Sequence, residues 1–349
     1  MNLFRIAFPA SATGRLERAG YSDRCIEDAG AREGFIFSLF GENMPLFTIP
    51  CDDTLPPLGE ADTDAICAAN DRSCPWAAPE STPRDRHMQL VERIARRLSE
   101  MKALSGIEGK IIATRVEVTS TTRTPSAIYQ ALTQAYPDAT VFLFSTPGTG
   151  TWIGASPELL LSAASGLLST VALAGTREAT PPECTPAPWD DKNRIEQEIV
   201  TDFITDSLRA AGLHPEAGRP YTRRAGRVEH ICTEISAPFS SPGQESHSSD
   251  ITPLIHLLSP TPALSGYPRH EAVEFITGHE SAPRYCYGGT VGYIAPGDTR
   301  IYVNLRSGRF IDSGRRIALY AGGGITRHSI PSDEWEETCR KLTTLLPHI

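Results

Sequence analysis

A carboxylate stands among apolar residues in the segment 190–211, whose periodicity predicts a helix. Glu196 precedes Ile199, Val200 and Phe203 by three, four and seven residues, so it shares their helical face. A buried carboxylate without a partner costs on the order of several kcal/mol, so such a group normally faces a metal ion, a cation or a proton. Alternatively, Glu196 lies at the edge of the apolar stripe and reaches water. The helix alone supports both interpretations equally.

A second acidic group lies in the helix predicted over 332–346. Glu334, Glu337 and Lys341 stand at i, i+3 and i+7, a spacing typical of a solvated ladder of opposite charges. Three glycines, Gly322 to Gly324, precede this helix, and we predict that they form a turn after a strand. Consecutive glycines let backbone approach a ligand and direct N–H groups toward an anion. They lack the spacing of a dinucleotide-binding loop, so the phosphate signal is weak.

Two further charged residues stand at the ends of predicted apolar strands. Glu158 precedes the run 159–161, and Arg306 follows the run 301–305. Each alone is more typical of a charge at a strand edge than of a catalytic group. Together they suggest a polar pocket inside a sheet.

The remaining pattern is a mixture of strands and helices without a repeat. Helical periodicity covers 85–104, 126–136, 190–211, 271–278 and 332–346. Strand patterns cover 110–119, 140–145, 151–154, 158–162, 167–173, 289–294, 300–305 and 316–320. This irregular order favours an α+β fold over a doubly wound sheet. Residues 1–84 show no regular pattern, and we predict that they are irregular.

Composition limits the possible functions. The chain has 349 residues, 40% hydrophobic and 21% charged, which is ordinary for a folded soluble domain. A net charge of −9 disfavours a nucleic-acid surface. No apolar run approaches the roughly 20 residues that span a bilayer, so we expect a cytoplasmic protein without membrane contact. The eight cysteines form no Cys-x-x-Cys pair, and we expect free thiols.

A series of segments resembles, in order, the chorismate-utilising enzymes, a family of anthranilate, aminodeoxychorismate, salicylate and isochorismate synthases. They are GKIIATR (109–115), GASPELLL (154–161), LAGTR (173–177), KNRIEQEIV (192–200), HICTEI (230–235), SPTPALSGYPRHEA (259–272), RYCYGGTVGY (284–293), VNLRSG (303–308) and AGGGITRHSIPSDEWEETCRKLTTLL (321–346). So many linked motifs are far more specific than any one of them. The resemblance covers residues 105–346 and leaves 1–84 unmatched.

The resemblance implies a single large α+β domain, in which stacked antiparallel sheets enclose the active site and helices lie outside. Residues 1–84 would be a poorly matched N-terminal portion of this domain, and 85–349 the chorismate-binding region. It also implies a Mg²⁺ site formed by Glu196 and Glu337, with Glu334 acting through water. Hard carboxylate oxygens suit Mg²⁺, and the carboxylate on the substrate ring would complete the site.

The implied reaction replaces the 4-hydroxyl of chorismate by a new group at C2. Such an exchange needs a base for the nucleophile and an acid for the leaving hydroxyl. By resemblance, Lys110 is the base and Glu158 the acid. Lys110 must then be neutral part of the time and Glu158 protonated, and burial favours both neutral forms. The remaining substrate contacts implied by resemblance are Thr176, His230, Thr233, Ala263, Leu264, Tyr287, Arg306, Gly322, Gly324 and Lys341.

Several residues discriminate within the family. Lys110 points to water as the nucleophile, because the family members that use ammonia have a Gln at the corresponding position. Aminodeoxychorismate synthases carry a nucleophilic Lys in Pro-Ile-Lys-Gly-Thr, where this chain has Leu-Ala-Gly-Thr at 173–176. The segment 262–266 (PALSG) is similar to that of isochorismate synthases. One departure is Gln197, where the family often has His, and it leaves the surroundings of the metal glutamate less certain.

We therefore predict a Mg²⁺-dependent isochorismate synthase of menaquinone or siderophore biosynthesis. We expect a monomer that binds chorismate and needs no glutaminase subunit. The alternatives are a salicylate synthase, which would also eliminate pyruvate, and an anthranilate or aminodeoxychorismate synthase component I. A ligand-binding relative without turnover is disfavoured, because a binding module need not retain both Lys110 and Glu158.

Overall fold

The computed structural model describes residues 1–349 except residue 13 and residues 28–32, 52–57, 182–183, 226–227 and 240–250. It also leaves out the side chains of Thr176, Lys192, Ala225 and Val228. The helices are α1 (Glu60–Ser73), α2 (Arg84–Ser105), α3 (Pro125–Ala135), α4 (Asp191–Ala210), α5 (Thr252–Leu258), α6 (Arg269–His279) and α7 (Pro331–Leu342). Five of them, α2, α3, α4, α6 and α7, lie where helical periodicity predicted a helix.

The strands are β1 (Asn2–Ala7), β2 (Glu17–Ser22), β3 (Ile26–Glu27), β4 (Gly34–Ser38), β5 (Leu46–Pro50), β6 (Lys110–Ser120), β7 (Thr140–Thr146), β8 (Gly150–Ser156), β9 (Leu159–Ala164), β10 (Leu167–Glu178), β11 (Glu216–Ala217), β12 (Tyr221–Ala225), β13 (Val228–Pro238), β14 (Gly266–Tyr267), β15 (Thr290–Ala295), β16 (Asp298–Val303), β17 (Ser307–Ile311) and β18 (Arg316–Ile325). They form two antiparallel sheets. The eight-stranded sheet has the order β14-β6-β18-β17-β8-β7-β1-β2. The ten-stranded sheet has the order β11-β13-β10-β9-β16-β15-β4-β5-β3, with β12 also paired to β13.

The two sheets stack on an aromatic core. Phe4 and Phe144 of the eight-stranded sheet meet Phe35 and Phe37 of the ten-stranded sheet, with ring centroids 4.7 Å apart for Phe37 and Phe144. Helices pack on the outer faces, α3 on β7 and β8, α4 on β10, and α7 on β18. The predicted α+β domain of stacked antiparallel sheets with outer helices is confirmed. No helix among the described residues is both long and apolar enough to span a bilayer.

The prediction that residues 1–84 are irregular is wrong. This part contributes β1 and β2 to one sheet, β3 to β5 to the other, and α1 outside. β1 and β4 are buried on both faces, with Phe4, Ile6, Phe35 and Phe37 almost inaccessible. A strand buried on both faces lacks the alternation of apolar and polar residues that marks a strand in sequence.

Two of the places where the chain crosses between the sheets lie side by side. The chain leaves β8 for β9 at 157–158 and leaves β16 for β17 at 304–306. The two crossings are joined because Val303 N–H donates to Glu158 O at 3.0 Å and Ala155 N–H donates to Arg306 O at 3.1 Å. Arg306 has φ of 47°, a left-handed conformation uncommon outside glycine. This junction brings Glu158 and Arg306 to one point between the sheets.

The glycine run 322–324 is not a turn, contrary to the prediction. It continues β18, which pairs with β6 residue by residue from Arg316 opposite Ser120 to Ile325 opposite Ile111. The glycines are needed because side chains occupy the space above them. An ideal Cβ at Gly322 would lie 3.0 Å from Ile112 Cγ2. A stretch of strand without side chains therefore forms one wall of the candidate active site.

Candidate active site

Lys110 and Glu196 meet between β6 and α4. Lys110 Nζ donates to Glu196 Oε1, and the two side chains are only 17% and 26% exposed. Lys110 lies over Gly324, where an ideal Cβ would be 2.4 Å from Lys110 Cε. Glu196 therefore faces a cation inside the protein, which decides between the two interpretations of its helix. Charge neutralisation explains how a carboxylate remains on this largely buried face.

Glu334, Glu337 and Lys341 line the face of α7 that packs on β18. An ideal Cβ at Gly323 would lie 3.2 Å from Glu334 Oε2 and 3.8 Å from Glu337 Oε1. Lys341 Nζ donates to Gly322 O and to Glu337 Oε1, both at 2.7 Å. The three residues therefore line the glycine strand, and Glu337 and Lys341 also form the i,i+4 ion pair that their spacing predicts.

The charges around Glu337 keep it ionised. Burial alone would raise the pKa of Glu337, but the charge and hydrogen bond of Lys341 hold it below its usual value. The charge of Lys110 acts in the same direction. Lys110 therefore links Glu196 on α4 with Glu337 on α7.

Glu158 lies at the crossing between β8 and β9. Burial raises the pKa of Glu158 to about 7. The positive charges of Lys110, Arg306 and Lys341 oppose this shift, which places all three near its carboxyl group. A carboxyl group of this kind can hold a proton near neutral pH and release it to a substrate.

Arg306 and Tyr287 supply groups suited to an anion. Burial lowers the pKa of Arg306, whereas the neighbouring Tyr136, Glu158 and Tyr287 favour its charged form. Burial raises the pKa of Tyr287 to about 12, so its hydroxyl stays a donor. The Tyr287 ring stacks on Tyr320 at 5.3 Å. A planar guanidinium beside a phenol is well suited to clamp a carboxylate.

The other predicted contacts lie on β10 and β13. His230 Nδ1 is 3.1 Å from Gly175 O, and burial lowers the pKa of His230. Thr176 pairs with His230 in the ladder, but its side chain lies outside the described part of the structure. Thr233 is buried, and its Oγ1 accepts a hydrogen bond from Gln197 Nε2 at 3.0 Å. Thr233 thus faces α4.

Ala263 and Leu264 lie in the loop between α5 and β14. Leu264 is buried in the same apolar cluster as Val200 and Ile204 of α4. Gln197, which stands where the family often has His, donates to the Ala172 carbonyl at 2.9 Å. It therefore ties α4 to β10 beside the predicted metal glutamate.

Sequence reasoning missed three residues close to these groups. Thr261 lies beside Glu158, where its hydroxyl favours the ionised form of that carboxyl group. Glu280 and Arg284 form a buried ion pair that contacts β6 and the loop before β14. The sequence signal that could have indicated this pair was the spacing of four residues between the opposite charges of Glu280 and Arg284, at and just after the end of α6.

The carboxylates of α4 and α7 are oxygen ligands of the kind that Mg²⁺ prefers. Among the described side chains, no three or more His, Cys, Asp or Glu form a ready metal-binding group. Glu334 and Glu337 nevertheless lie together against Gly323. Lys110 contacts Glu196, and its charge also acts on Glu337, so one positive charge acts on carboxylates from two helices. Mg²⁺ prefers such oxygens and retains water and substrate ligands, so the donor set fits it.

A carboxyl group that can hold a proton, with a lysine and a guanidinium whose charges act on it, defines a site for acid–base chemistry on an anionic substrate. The sequence family described as chorismate binding enzyme matches residues 64–349. The chain therefore belongs to the chorismate-binding enzymes.

Curated relatives include isochorismate and anthranilate synthases. Isochorismate synthase MenF of Escherichia coli is 34% identical over 214 residues, which cover 59% of this chain and 48% of MenF. Isochorismate synthase EntC of the same organism is 29% identical over 280 residues, covering 77% and 68%. Anthranilate synthase component 1 of Halobacterium salinarum is 30% identical over 231 residues, covering 64% and 43%. The chain thus spans about half the length of several of these relatives.

Solved structures show the same fold. The structure of MenF, the menaquinone-specific isochorismate synthase from Escherichia coli, has a TM-score of 0.71 at 22% identity, with 99% of this chain and 89% of that chain covered. Anthranilate synthase component I from Streptococcus pneumoniae has a TM-score of 0.65 at 16% identity, covering 99% and 91%.

Proposed function

We propose that this protein is a Mg²⁺-dependent isochorismate synthase that converts chorismate to isochorismate. The proposal rests chiefly on one observation. The charge of Lys110 acts on the carboxyl group of Glu158, whose pKa burial raises to about 7. The isochorismate synthases among the relatives support the same assignment.

The proposed chemistry follows from these groups. Arg306, with Tyr287, binds a substrate carboxylate and orients the ring. Lys110 is a cation beside Glu196 at rest and acts as the base once it has lost its proton. It then takes a proton from the water whose oxygen bonds to C2, while the ring double bonds shift toward C4. Glu158 gives its proton to the 4-hydroxyl, which leaves as water when the C4–O bond breaks. One water enters and one leaves, so the reaction is an isomerisation.

Mg²⁺ would be held by Glu196 and Glu337, with Glu334 through water. When bound, it would neutralise these carboxylates and the carboxylate on the substrate ring, which otherwise repel one another. The protein side chains contribute the positions of these oxygens, two on α7 and one on α4.

Two alternative activities remain to be tested. A salicylate synthase would form isochorismate and then eliminate pyruvate, and one relative is the salicylate biosynthesis isochorismate synthase of Pseudomonas aeruginosa, 33% identical over 229 residues. An anthranilate or aminodeoxychorismate synthase component I would use ammonia from a glutaminase. Lys110 favours water, so we propose that the protein acts as a monomer in the cytoplasm without a glutaminase, in menaquinone or siderophore biosynthesis.

Product analysis tests the proposal. Purified protein is incubated with chorismate and Mg²⁺, with and without ammonium or EDTA, and the products are separated by liquid chromatography and mass spectrometry. We expect isochorismate in all cases except with EDTA. The variant Lys110→Ala should lose turnover, by about 100-fold to 10,000-fold. Lys102→Ala, which removes an exposed lysine of α2, is the matched control.

Each contrary outcome has a distinct meaning. Anthranilate or aminodeoxychorismate formed with ammonium would assign the protein to the amine-forming branch. Salicylate with stoichiometric pyruvate would make it a salicylate synthase. Full activity in excess EDTA would exclude the Mg²⁺ requirement.

A further inference from the structure

Glu280 and Arg284 form a buried, two-pronged ion pair apart from the proposed substrate and metal residues. Glu280 caps the C-terminus of α6, and Arg284 follows in the turn before β15. Arg284 Nη2 donates to Glu280 Oε1 at 2.6 Å, and Arg284 Nε donates to Glu280 Oε2 at 2.8 Å. The side chains are 2% and 5% exposed. The planar guanidinium thus holds one fixed orientation.

The pair completes an edge of β6, the strand that begins with Lys110. β18 covers one edge of β6 from Ile111 to Ser120. On the opposite edge, β14 pairs only with Lys110 and Ile111, and no further strand of the described part follows. There Thr114 N–H donates to Glu280 Oε1 at 2.8 Å, and Arg284 Nη2 donates to Ile112 O at 2.9 Å. Two side chains therefore make the hydrogen bonds that a neighbouring strand would make.

The same guanidinium also holds the loop before β14. Arg284 Nη1 donates to Leu264 O at 2.7 Å, so one side chain bonds both β6 and the loop. Tyr287 N–H donates to Arg284 O at 2.9 Å, which ties the carboxylate-binding turn to the same residue. The ring of Phe40 lies 4.3 Å from the guanidinium carbon and closes its exposed side. Three segments of the site thus meet at one arginine.

We propose that Glu280 and Arg284 are positioning residues that fix Lys110 relative to the loop carrying Ala263 and Leu264. The inference deepens the proposed function and rests on it, because Lys110 must face the ring carbon that the loop presents. A misplacement of about 1 Å remote from the chemistry can cost on the order of 100-fold in rate. A lysine cannot replace the arginine, since one ammonium lacks the planar fork that spans two carbonyl oxygens and a carboxylate.

The test compares Arg284→Lys with Arg15→Lys. Both replace an arginine that donates to backbone carbonyl oxygens, but Arg15 bonds to Ala7, Thr133, Tyr136 and Ala139 rather than to β6 or the loop before β14. Both should lower the Tm. Only Arg284→Lys should lower kcat, by about 10-fold to 100-fold, with the KM for chorismate changed less than about threefold. The assays are run well below the Tm of each variant.

A second measurement does not depend on activity. Deuterium uptake in a peptide covering 111–118 should rise in Arg284→Lys and stay unchanged in Arg15→Lys. Glu280→Asp, which keeps the charge but withdraws the carboxylate, should repeat both effects if Arg284→Lys fails to fold. A kcat of the Arg284→Lys or Glu280→Asp variant within twofold of wild type, or unchanged uptake in this peptide, would overturn the proposal. Wild-type product analysis reports separately on the proposed function, since a different wild-type product leaves the uptake result intact.

Discussion

Two glutamates of one pocket prefer opposite protonation states. Burial raises the pKa of Glu158 to about 7. Lys341 holds the pKa of Glu337 below its usual value by its charge and hydrogen bond, against the effect of burial. When the surroundings shift the pKa values of two carboxyl groups in opposite directions, one group can serve as an acid while the other stays an anionic ligand. The site thus contains one carboxyl group that can hold a proton near neutral pH and one carboxylate that stays ionised.

The rate should fall as pH rises through about 7, because Glu158 must be protonated to act as the acid. Glu158→Gln should lose about 100-fold to 10,000-fold in kcat and should no longer show this limb. Steady-state kcat measured from about pH 5.5 to 8.5 checks the prediction. Glu100→Gln, on the exposed face of α2, should keep the wild-type profile. A flat wild-type profile across pH 7 would remove Glu158 from the role of acid.

Stability has the same sign of pH dependence at this residue. The pKa of Glu158 in the folded protein lies above the value of about 4.3 of an unfolded glutamate. The stabilisation that Glu158 contributes is therefore fully present below about pH 4.3. The contribution is lost as pH rises toward 7, when the buried carboxyl group ionises. The Tm of Glu158→Gln relative to that of the wild type should therefore increase as the pH rises from 5 to 8.

At the level of elements, β18 supplies a bare surface and α7 covers it. Lys110 crosses above Gly324, and Glu334 approaches Gly323. Arg115 of the neighbouring strand β6 also holds α7, because its Nε donates to Thr338 Oγ1 at 2.8 Å. The helix is thus fixed to the sheet beside its acidic residues.

Replacing Gly324 by alanine should displace Lys110 without unfolding the protein. The added Cβ would lie 2.4 Å from Lys110 Cε, the far end of a flexible side chain, so the lysine moves and the strand does not. We expect kcat to fall about 10-fold to 100-fold with little change in Tm. Gly278→Ala is the control, because its Cβ would meet nothing within 4 Å. Unchanged kcat in Gly324→Ala would show that the position of Lys110 is not critical.

At the level of the whole molecule, the N-terminal strands complete both sheets. β1 lies between β7 and β2, and β4 lies between β15 and β5. Phe4, Phe35 and Phe37 from these strands are among the largest buried side chains. The family match begins at residue 64, yet the core of the matched region needs strands that precede it.

A chain that begins at Glu60 should therefore fail to fold. Loss of each buried phenylalanine costs about 3–5 kcal/mol. Losing three therefore removes most or all of the free energy of unfolding of a typical domain, which is about 5–15 kcal/mol. Near-UV circular dichroism and a cooperative melting transition measure the outcome. Co-expression of residues 1–58 as a separate chain is the control, because it returns the missing strands. A soluble, cooperatively melting chain without that fragment would contradict the prediction.

The sequence by itself determined the elements with local periodicity and the order of the family motifs. α2 and α4 follow from apolar residues at helical spacing, which is a property of neighbours along the chain. The motifs that contain residues 110, 158 and 306 likewise indicated a base, an acid and a carboxylate clamp. The family itself followed from the linked motifs, and residues 64–349 match it.

Only the tertiary structure decided features that depend on partners distant in sequence. β1 and β4 are buried on both faces, so their sequence carries no alternation to detect. The direction of Glu196 was open until Lys110, 86 residues away, was placed beside it. The pKa of Glu158 and the contacts of Arg284 arise from burial and from hydrogen bonds across the fold. Such interactions are set by packing in three dimensions, which local periodicity does not encode.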